Sequence, residues 1–364
     1  MATNHSPFLP DMSASSFIQK RASTGQSDFS RLPRVFLVLM VLVLIGAALF
    51  FQARPAAAAS DITEFHVSTV GTSQGIAAGP DGALWFTEFY DNVAGRITTA
   101  GTNTLFDLNT QNSATYITNG PDGALWLTLL NDVGGSTTNQ IGRLTTKGAL
   151  TTFTVPAASY IWDITAGPSS KLYFTDGASR VWSFTTSGRF TAFPFTDSAG
   201  GYPYQITQGP DGNLWFTDRA RLIVKMTPQG QFTLFTVPTS NAATDDIVAG
   251  PDGNLWFTLD DSDSSRIGRI TPSGSITLFT LPAPSANDYL FLSGITAGPD
   301  GNLWFTSYDW TTSTPAIGRI TPAGGITLTT APANSGLPTD ITAGSDGNLW
   351  FTEGNGYIGR ITAA

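Results

Sequence analysis

The amino-acid sequence predicts an all-β fold, a seven-bladed β-propeller with four strands in each blade. A phrase close to G-P-D-G-(A/N)-L-W-F-T occurs seven times at intervals of 41 to 48 residues, a period that suits a four-stranded blade. The runs between the copies are rich in β-branched and aromatic residues and lack helical periodicity. The copies begin at Gly79, Gly120, Gly167, Gly209, Gly250, Gly298 and Gly344.

The fifth repeat shows the four strands of one unit, which we name a to d from the inside outward. Strand a is expected at residues 247–249 and strand b at 254–258, with a Pro-Asp-Gly turn between them. Strand c is expected at 266–271 and strand d at 275–280, on either side of a Pro-Ser-Gly turn. One repeat therefore accounts for one complete blade.

The last repeat lacks its outer strand. The chain ends just after residues 357–362, which match strand c, whereas residues 61–67 match strand d and have no other strand before them. We expect residues 61–67 to complete blade seven, because this pairing removes the open sheet edge that a linear array would leave.

The N-terminal residues indicate export. Residues 1–34 form a polar, basic N-region, and residues 35–51 are an uncharged apolar run. Residues 52–60 form a linker that ends in small residues suited to signal cleavage, and residues 61–364 form the propeller. The apolar run is intermediate between a signal peptide and a membrane anchor, so both remain open. In either case the N-terminal segment contacts the membrane and the propeller is secreted or anchored outside the cytoplasm.

Composition narrows the partners. Without the first 59 residues the chain has 13 basic and 25 acidic side chains, a net charge of −12, which argues against nucleic acid as a ligand. The sequence contains no cysteine, so neither a disulfide nor a thiolate metal site is possible. We expect a monomer whose partner, a small molecule, a glycan or a protein, binds at the channel mouth.

Two phrases of the blade carry a resemblance to a known family. The L-W-F-T of residues 303–306 and the I-G-R-I-T of residues 317–321, like their counterparts in other blades, resemble the virginiamycin B lyase (streptogramin lyase) family. The resemblance covers residues 61–364 and implies seven blades. It also implies an activity, the opening of the lactone ring of a cyclic depsipeptide antibiotic by magnesium-assisted elimination.

The family's working groups are mostly absent from the positions where the resemblance places them. Its two histidines fall on Ser293 and Thr339, and the glutamate before the second histidine falls on Leu337. Only the last glutamate is present, as Glu353, which is the catalytic candidate. These substitutions favour a ligand-binding or interaction module over a lyase.

No other histidine compensates, because the chain has only His5 in the N-terminal region and His66 on the expected closing strand. Two enzyme alternatives stay open, a metal-assisted lyase that acts on cyclic depsipeptide lactones and a gluconolactonase-like lactone hydrolase. Either would use carboxylates with a raised pKa, and Mg²⁺ is a possible cofactor.

The starts of strands a and the ends of strands b should lie at one face and surround the channel mouth. Trp162 and Tyr204 are candidates for stacking a planar or sugar ring, with Asp176 and Asp218 beside them as acceptors, although both aromatics could equally be rim packing. The candidate ligand-binding residues are Trp162, Tyr204, Asp176, Asp218, Ser293 and Thr339. The candidate metal ligands are Glu88, Asp245 and Glu353, with solvated carboxylates as the alternative.

Overall fold

The structure, a computed structural model, describes ten stretches of chain, and these confirm the all-β prediction. They form 28 strands in seven four-stranded antiparallel sheets, and their one helical element is a 3₁₀ turn at Pro168–Ser170. The described residues are 62–67, 72–110, 112–130, 138–156, 160–197, 200–239, 243–260, 265–282, 290–332 and 335–363.

The two inner strands of each blade follow the repeated phrase. Strands a, in the order of the blades, are β2 (Ser73–Ala78), β6 (Ser113–Asn119), β10 (Ile161–Gly167), β14 (Ile206–Gln208), β18 (Ala243–Ala249), β22 (Leu290–Ala297) and β26 (Pro338–Ala343). Strands b are β3 (Leu84–Glu88), β7 (Leu125–Leu130), β11 (Lys171–Asp176), β15 (Leu214–Thr217), β19 (Leu255–Asp260), β23 (Leu303–Asp309) and β27 (Asn348–Glu353).

The two outer strands complete each blade. Strands c are β4 (Val93–Ile97), β8 (Gln140–Leu144), β12 (Arg180–Phe184), β16 (Leu222–Met226), β20 (Arg266–Ile270), β24 (Thr314–Ile320) and β28 (Tyr357–Thr362). Strands d are β5 (Asn103–Asp107), β9 (Leu150–Thr154), β13 (Phe190–Pro194), β17 (Phe232–Thr236), β21 (Ile276–Thr280), β25 (Ile326–Thr330) and, in blade 7, β1 (Ile62–His66).

The seven strands a form a closed ring, because each contacts strand a of the next blade and β26 contacts β2. Threonines at the ends of strands b join neighbouring blades. The Thr217 hydroxyl donates to the Asp245 carbonyl of the next blade at 2.6 Å and accepts the Gln205 N–H of its own blade at 3.1 Å. The threonine of the repeated phrase does the same at the strand-a bulges of blades 1 and 5, where Thr87 accepts the Gly75 N–H and Thr258 accepts the Asp246 N–H.

The split blade is confirmed by β1, which pairs antiparallel with β28 from Ile62 opposite Ile361 to His66 opposite Tyr357. The Phe65 ring stacks on Trp350 at 5.3 Å, as Phe106 of strand d stacks on Trp85 in blade 1 at 5.2 Å. The first described strand therefore has both the pairing and the packing of a strand d.

The repeated tryptophans and basic residues have structural roles at the face opposite the channel mouth. In blade 1 the indole N–H of Trp85 donates to Asp81 of the G-P-D-G turn at 3.1 Å, and Arg96 donates to the same carboxylate at 2.6 Å. In blade 5 the Arg269 guanidinium also donates to the Pro322 carbonyl of blade 6 at 2.9 Å. These groups join strands and blades away from the channel mouth, so they are not candidates for the site.

The predictions for residues 1–34, 35–51 and 52–60 lie outside the described residues. Within the described stretches no helix is long and apolar enough to cross a membrane.

Candidate functional site

The upper face of the ring carries the candidate residues. We define it as the face with the connections from strand b to strand c and from strand d to the next strand a. Near the axis it is formed by residues at the bulges of strands a, whose identities differ from blade to blade.

Trp162 and three tyrosines lie together on blades 3 and 4; we call these four side chains the aromatic cluster. The Trp162 ring lies 4.4 Å from Tyr160, 5.8 Å from Tyr202 and 5.1 Å from Tyr204, measured between ring centroids. Tyr202 is the near-parallel partner at 19°, whereas Tyr204 meets Trp162 edge-on at 68°. All four are partly exposed. The predicted pair of Trp162 and Tyr204 is thus in contact, but the stacked pair is Trp162 with Tyr202.

A polar network lies beside the aromatic cluster. Gln205 donates to the Tyr116 hydroxyl at 2.8 Å, and that hydroxyl also shares a hydrogen bond with the Tyr204 hydroxyl. Arg219 lies over the Tyr204 ring at 4.7 Å and donates to Asp245 at 3.1 Å. Burial raises the pKa of Asp245 to about 6, and Arg219 limits that rise. The network presents a guanidinium and neutral hydroxyl groups next to an aromatic surface.

In blades 3, 5 and 7 an aspartate at the bulge of strand a connects its blade to the next one. Asp163, Asp246 and Asp340 each accept the N–H of the following isoleucine through Oδ1 at 2.7 Å. Through Oδ2, each accepts an isoleucine N–H of the next blade at 2.7 to 2.9 Å. Both oxygens of each of these carboxyl groups are therefore occupied, Oδ1 within its own blade and Oδ2 in joining that blade to the next.

The same aspartates are unusually hard to ionise. Burial and the Asp340 charge raise the pKa of Asp163 to about 7, and burial raises that of Asp340 to about 6. The pKa of Asp246 is raised well above its usual range by burial and by the other two carboxyl groups. Burial, together with the neighbouring carboxyl charges at Asp163 and Asp246, thus favours protonation of these groups near neutral pH.

The acidic residues at the ends of strands b are wholly buried, which contradicts the solvated alternative. Glu88, Asp176, Asp218 and Glu353 each have 0% exposure, and Asp245 has 7%. Asp176 is fully bonded within its own blade and cannot act as the predicted acceptor for a ligand. It accepts the N–H groups of Ala178 and Arg180, the Arg180 guanidinium at 2.8 Å and the Trp182 indole at 2.8 Å.

Glu353 keeps one oxygen without a hydrogen-bond partner. Its Oε2 accepts the Gly336 N–H at 3.1 Å, whereas its Oε1 is buried and unpartnered. Burial, followed by the neighbouring Glu64 carboxyl group of β1, raises the pKa of Glu353 to about 8. The Ser335 hydroxyl donates to Glu64. Glu353 is therefore a protonatable group at physiological pH, as a general acid or base must be.

Glu88 occupies the equivalent position in blade 1. The Ser73 hydroxyl donates to its Oε1 at 2.7 Å, and its Oε2 is buried and unpartnered. Burial raises the pKa of Glu88 to about 7 despite the hydrogen bond from Ser73. Asp218 holds the same position in blade 4 and is also wholly buried.

The positions of the family's histidines have structural roles here. The Thr339 hydroxyl donates to the Ser73 carbonyl at 3.0 Å, and the Ser293 carbonyl accepts the Thr258 hydroxyl at 3.0 Å. His66 is exposed on the outer strand β1, and the centroid of its ring lies 4.9 Å from that of Tyr357. Neither Ser293 nor Thr339 offers a strong metal ligand, so the described residues do not fit the family's magnesium chemistry.

The predicted metal ligands do not converge. Glu88 and Glu353 lie in the adjacent blades 1 and 7, whereas Asp245 lies in blade 5 and is paired with Arg219. Among the described residues, no group of three histidine or acidic side chains is arranged to hold a metal ion.

The fold is a closed seven-bladed propeller, and its channel mouth is surrounded by buried carboxyl groups. Among the described residues, no histidine lies at the channel mouth. The model of the virginiamycin B lyase family matches residues 55–157 and 133–364. The chain belongs to the virginiamycin B lyase family.

Solved structures agree with this assignment. A streptogramin B lyase structure is 29% identical, with a TM-score of 0.72, and the match covers 83% of this chain and 97% of that one. Virginiamycin B lyase from Staphylococcus aureus is 31% identical, with a TM-score of 0.72, over 83% of this chain and 99% of that one. A catalytically inactive histidine-to-alanine variant of the S. aureus enzyme, solved with quinupristin, is 30% identical, with a TM-score of 0.72 and coverage of 83% and 99%. No curated protein matches the chain.

Sequence reasoning missed several residues of the upper face. The aspartates at the bulges were detectable, because an Asp-Ile pair begins the core of strand a in blades 3, 5 and 7. Nothing in the local sequence marked Tyr202, Arg219 or Glu64, which reach the site from connections or from the closing strand.

Proposed function

We propose that this protein is an exported ligand-binding propeller that recognises a small molecule with a planar or saccharide ring at the aromatic cluster. The observation that carries the proposal is the partly exposed stack of Trp162 on Tyr202, 5.8 Å apart, bordered by the Arg219 and Tyr204 pair. Partly exposed aromatic rings beside a few fixed polar groups are typical of small-molecule sites.

The absence of the family's histidines supports binding rather than elimination. Ser293 and Thr339 replace them, and the Thr339 hydroxyl is already used in joining blades 7 and 1. Export is part of the proposal and depends on the basic residues 1–34 followed by the apolar run 35–51.

A binding experiment tests the proposal. The full-length chain is titrated with quinupristin and with neutral oligosaccharides, and binding is followed by tryptophan fluorescence and by the melting temperature. Trp162→Ala and Tyr202→Ala should each weaken the affinity about tenfold or more, because stacking on one aromatic ring contributes ~1 to 3 kcal/mol.

Tyr90→Ala is the matched control, because Tyr90 is a 69% exposed tyrosine on the same face in blade 1. It should bind like the parent. If no compound of the panel binds, or if Tyr90→Ala weakens binding as much as Trp162→Ala, the aromatic cluster is not a ligand site.

A second candidate function is lactone cleavage, favoured by Glu353. Its unpartnered Oε1 and its pKa, which burial and Glu64 raise to about 8, suit a general acid or base for elimination or for lactone hydrolysis. We expect no opening of quinupristin or of a gluconolactone, with or without added Mg²⁺, above a no-enzyme control. Turnover that disappears in Glu353→Gln would establish the lyase or hydrolase instead.

A further inference from the structure

Asp197 and Asp218 form a pair of carboxyl groups on the upper face of blade 4. Asp218 directly follows β15 and is wholly buried, and Asp197 lies in the connection between β13 and β14. The Oδ1 atom of Asp218 accepts the N–H groups of Ala220 and Leu222, both at 3.0 Å. One oxygen of Asp218 is thus held by its own turn.

The backbone also holds one oxygen of Asp197. Its Oδ1 accepts the N–H groups of Gly200 at 2.8 Å and Gly201 at 3.1 Å. The two carboxyl groups lie within hydrogen-bonding distance of each other. The Oδ2 atoms of both residues are buried and have no hydrogen-bond donor. Each carboxyl group therefore keeps one buried acceptor oxygen that receives no hydrogen bond from the described residues.

Blade 3 shows how the same position is satisfied when it is structural. Asp176 binds the N–H groups of its turn through Oδ1, as Asp218 does. Its Oδ2 then receives the Arg180 guanidinium and the Trp182 indole, four and six residues later. Blade 3 thus supplies both a basic side chain, which neutralises Asp176, and a second hydrogen-bond donor.

Blade 4 lacks both of these donors. The residues four and six positions after Asp218 are Leu222 and Val224, which pack in the core. Burial and the Asp197 carboxyl group raise the pKa of Asp218, and the hydrogen bond from the Leu222 N–H lowers it. No basic side chain contributes to this pKa. Burying an unpaired carboxylate against a second one is strongly unfavourable without a counter-charge.

We propose that Asp197 and Asp218 together bind one hard divalent cation of the Ca²⁺ and Mg²⁺ class through their Oδ2 atoms. Carboxylate oxygens are the preferred ligands of both ions, and water can complete the coordination shell on the side of Asp197, which is partly exposed. The cation would tie the connection between blades 3 and 4 to strand b of blade 4. The proposal does not depend on ligand binding at the aromatic cluster.

Calorimetry tests the site. The full-length chain is treated with a chelator, dialysed into 0.1 M NaCl and titrated with CaCl₂ or MgCl₂, while its melting temperature is measured in parallel. We expect one ion per chain and a melting temperature that rises with cation concentration. Asp218→Asn and Asp197→Asn should each weaken the affinity by at least about tenfold.

Asp107→Asn is the control for loss of one negative charge, because Asp107 is an exposed residue of the outer strand β5. It should take up the cation like the parent. If Asp218→Asn does not fold, the partly exposed Asp197→Asn carries the test. Absence of uptake by the parent, undiminished uptake by Asp197→Asn, or equal weakening in Asp107→Asn would each overturn the proposal and leave a shared proton between the two carboxyl groups.

Discussion

Replacement of Glu353 by glutamine should stabilise the protein at alkaline pH. Glu353 is wholly buried and touches the Glu64 carboxyl group, and burial followed by that neighbour raises its pKa from 4.5 to about 8. The Glu353 carboxyl group is therefore protonated in the folded state at pH 5, where its burial lowers the free energy of unfolding only a little. As the pH rises toward 8, the folded state must either keep the proton or bury a second negative charge, so stability is lost.

The size of this loss follows from the two pKa values. At ~1.4 kcal/mol per unit of pKa, the rise from 4.5 to about 8 corresponds to at most about 5 kcal/mol. Glu64 is partly exposed and admits water, so we expect ~2 to 5 kcal/mol. Glutamine avoids this cost, because its neutral amide can donate to Glu64 and its oxygen can accept the Gly336 N–H.

Thermal melting of the full-length chain at pH 5 and pH 9 measures the effect. Glu353→Gln should melt near the parent at pH 5 and roughly 4 to 10 °C above it at pH 9, at about 2 °C per kcal/mol for a domain of this size. Asp176→Asn at the same position of blade 3 should instead lower the melting temperature, because it disturbs the bonds from Arg180 and Trp182. If Glu353→Gln destabilises the protein at pH 9, the contact with Glu64 is not a pair of competing carboxyl groups.

Three further predictions concern the scaffold. A chain that starts at residue 70 lacks β1, with its buried Ile62, and should melt well below the parent; a peptide of residues 60–68 should restore part of the loss, and unchanged melting of the truncated chain would refute the closure. Gly268→Ala should cost ~1 to 3 kcal/mol or more by chemical denaturation, because its Cβ would lie 2.1 Å from Cζ of the buried Phe257; a neutral result would contradict the packing. Below pH 4 the melting temperature should fall. Hydrogen bonds to the aspartates of the G-P-D-G turns, as at Asp81, outweigh burial and lower their pKa in the folded state, so protonating these aspartates removes stability. A melting temperature that stays constant down to pH 2 would contradict this.

The fold could be predicted because each repeat contains the turn and strand patterns of one whole blade. The Asp-Gly turn, the strand that follows it and the I-G-R strand recur at the blade period, and neighbouring strands pair with one another along the chain. Even the long-range closure was recognisable, since one strand d was missing at the C-terminus and one was present at residues 61–67. Pairing of β1 with β28 requires no information beyond that count.

The site was predictable only in its location. The chosen positions do lie at the upper face, but their environment depends on residues from other elements. Asp176 and Asp218 hold equivalent positions, yet one meets Arg180 and the other meets Asp197 from a connection 21 residues earlier. Sequence spacing does not show such contacts, and for this reason solvation of these carboxylates was the wrong alternative.

The strand-b ends also show which polar groups the fold does not require. Leu129 and Leu259 hold this position in blades 2 and 5 and are wholly buried, so an apolar side chain completes a blade there. Glu88, Asp218 and Glu353 hold it in blades 1, 4 and 7, and each keeps one buried oxygen without a partner. Burying such a group lowers stability, and proteins accept this cost mainly at functional sites. The unpartnered oxygens of blades 4 and 7 are therefore the places where cation binding and acid–base chemistry are to be tested first.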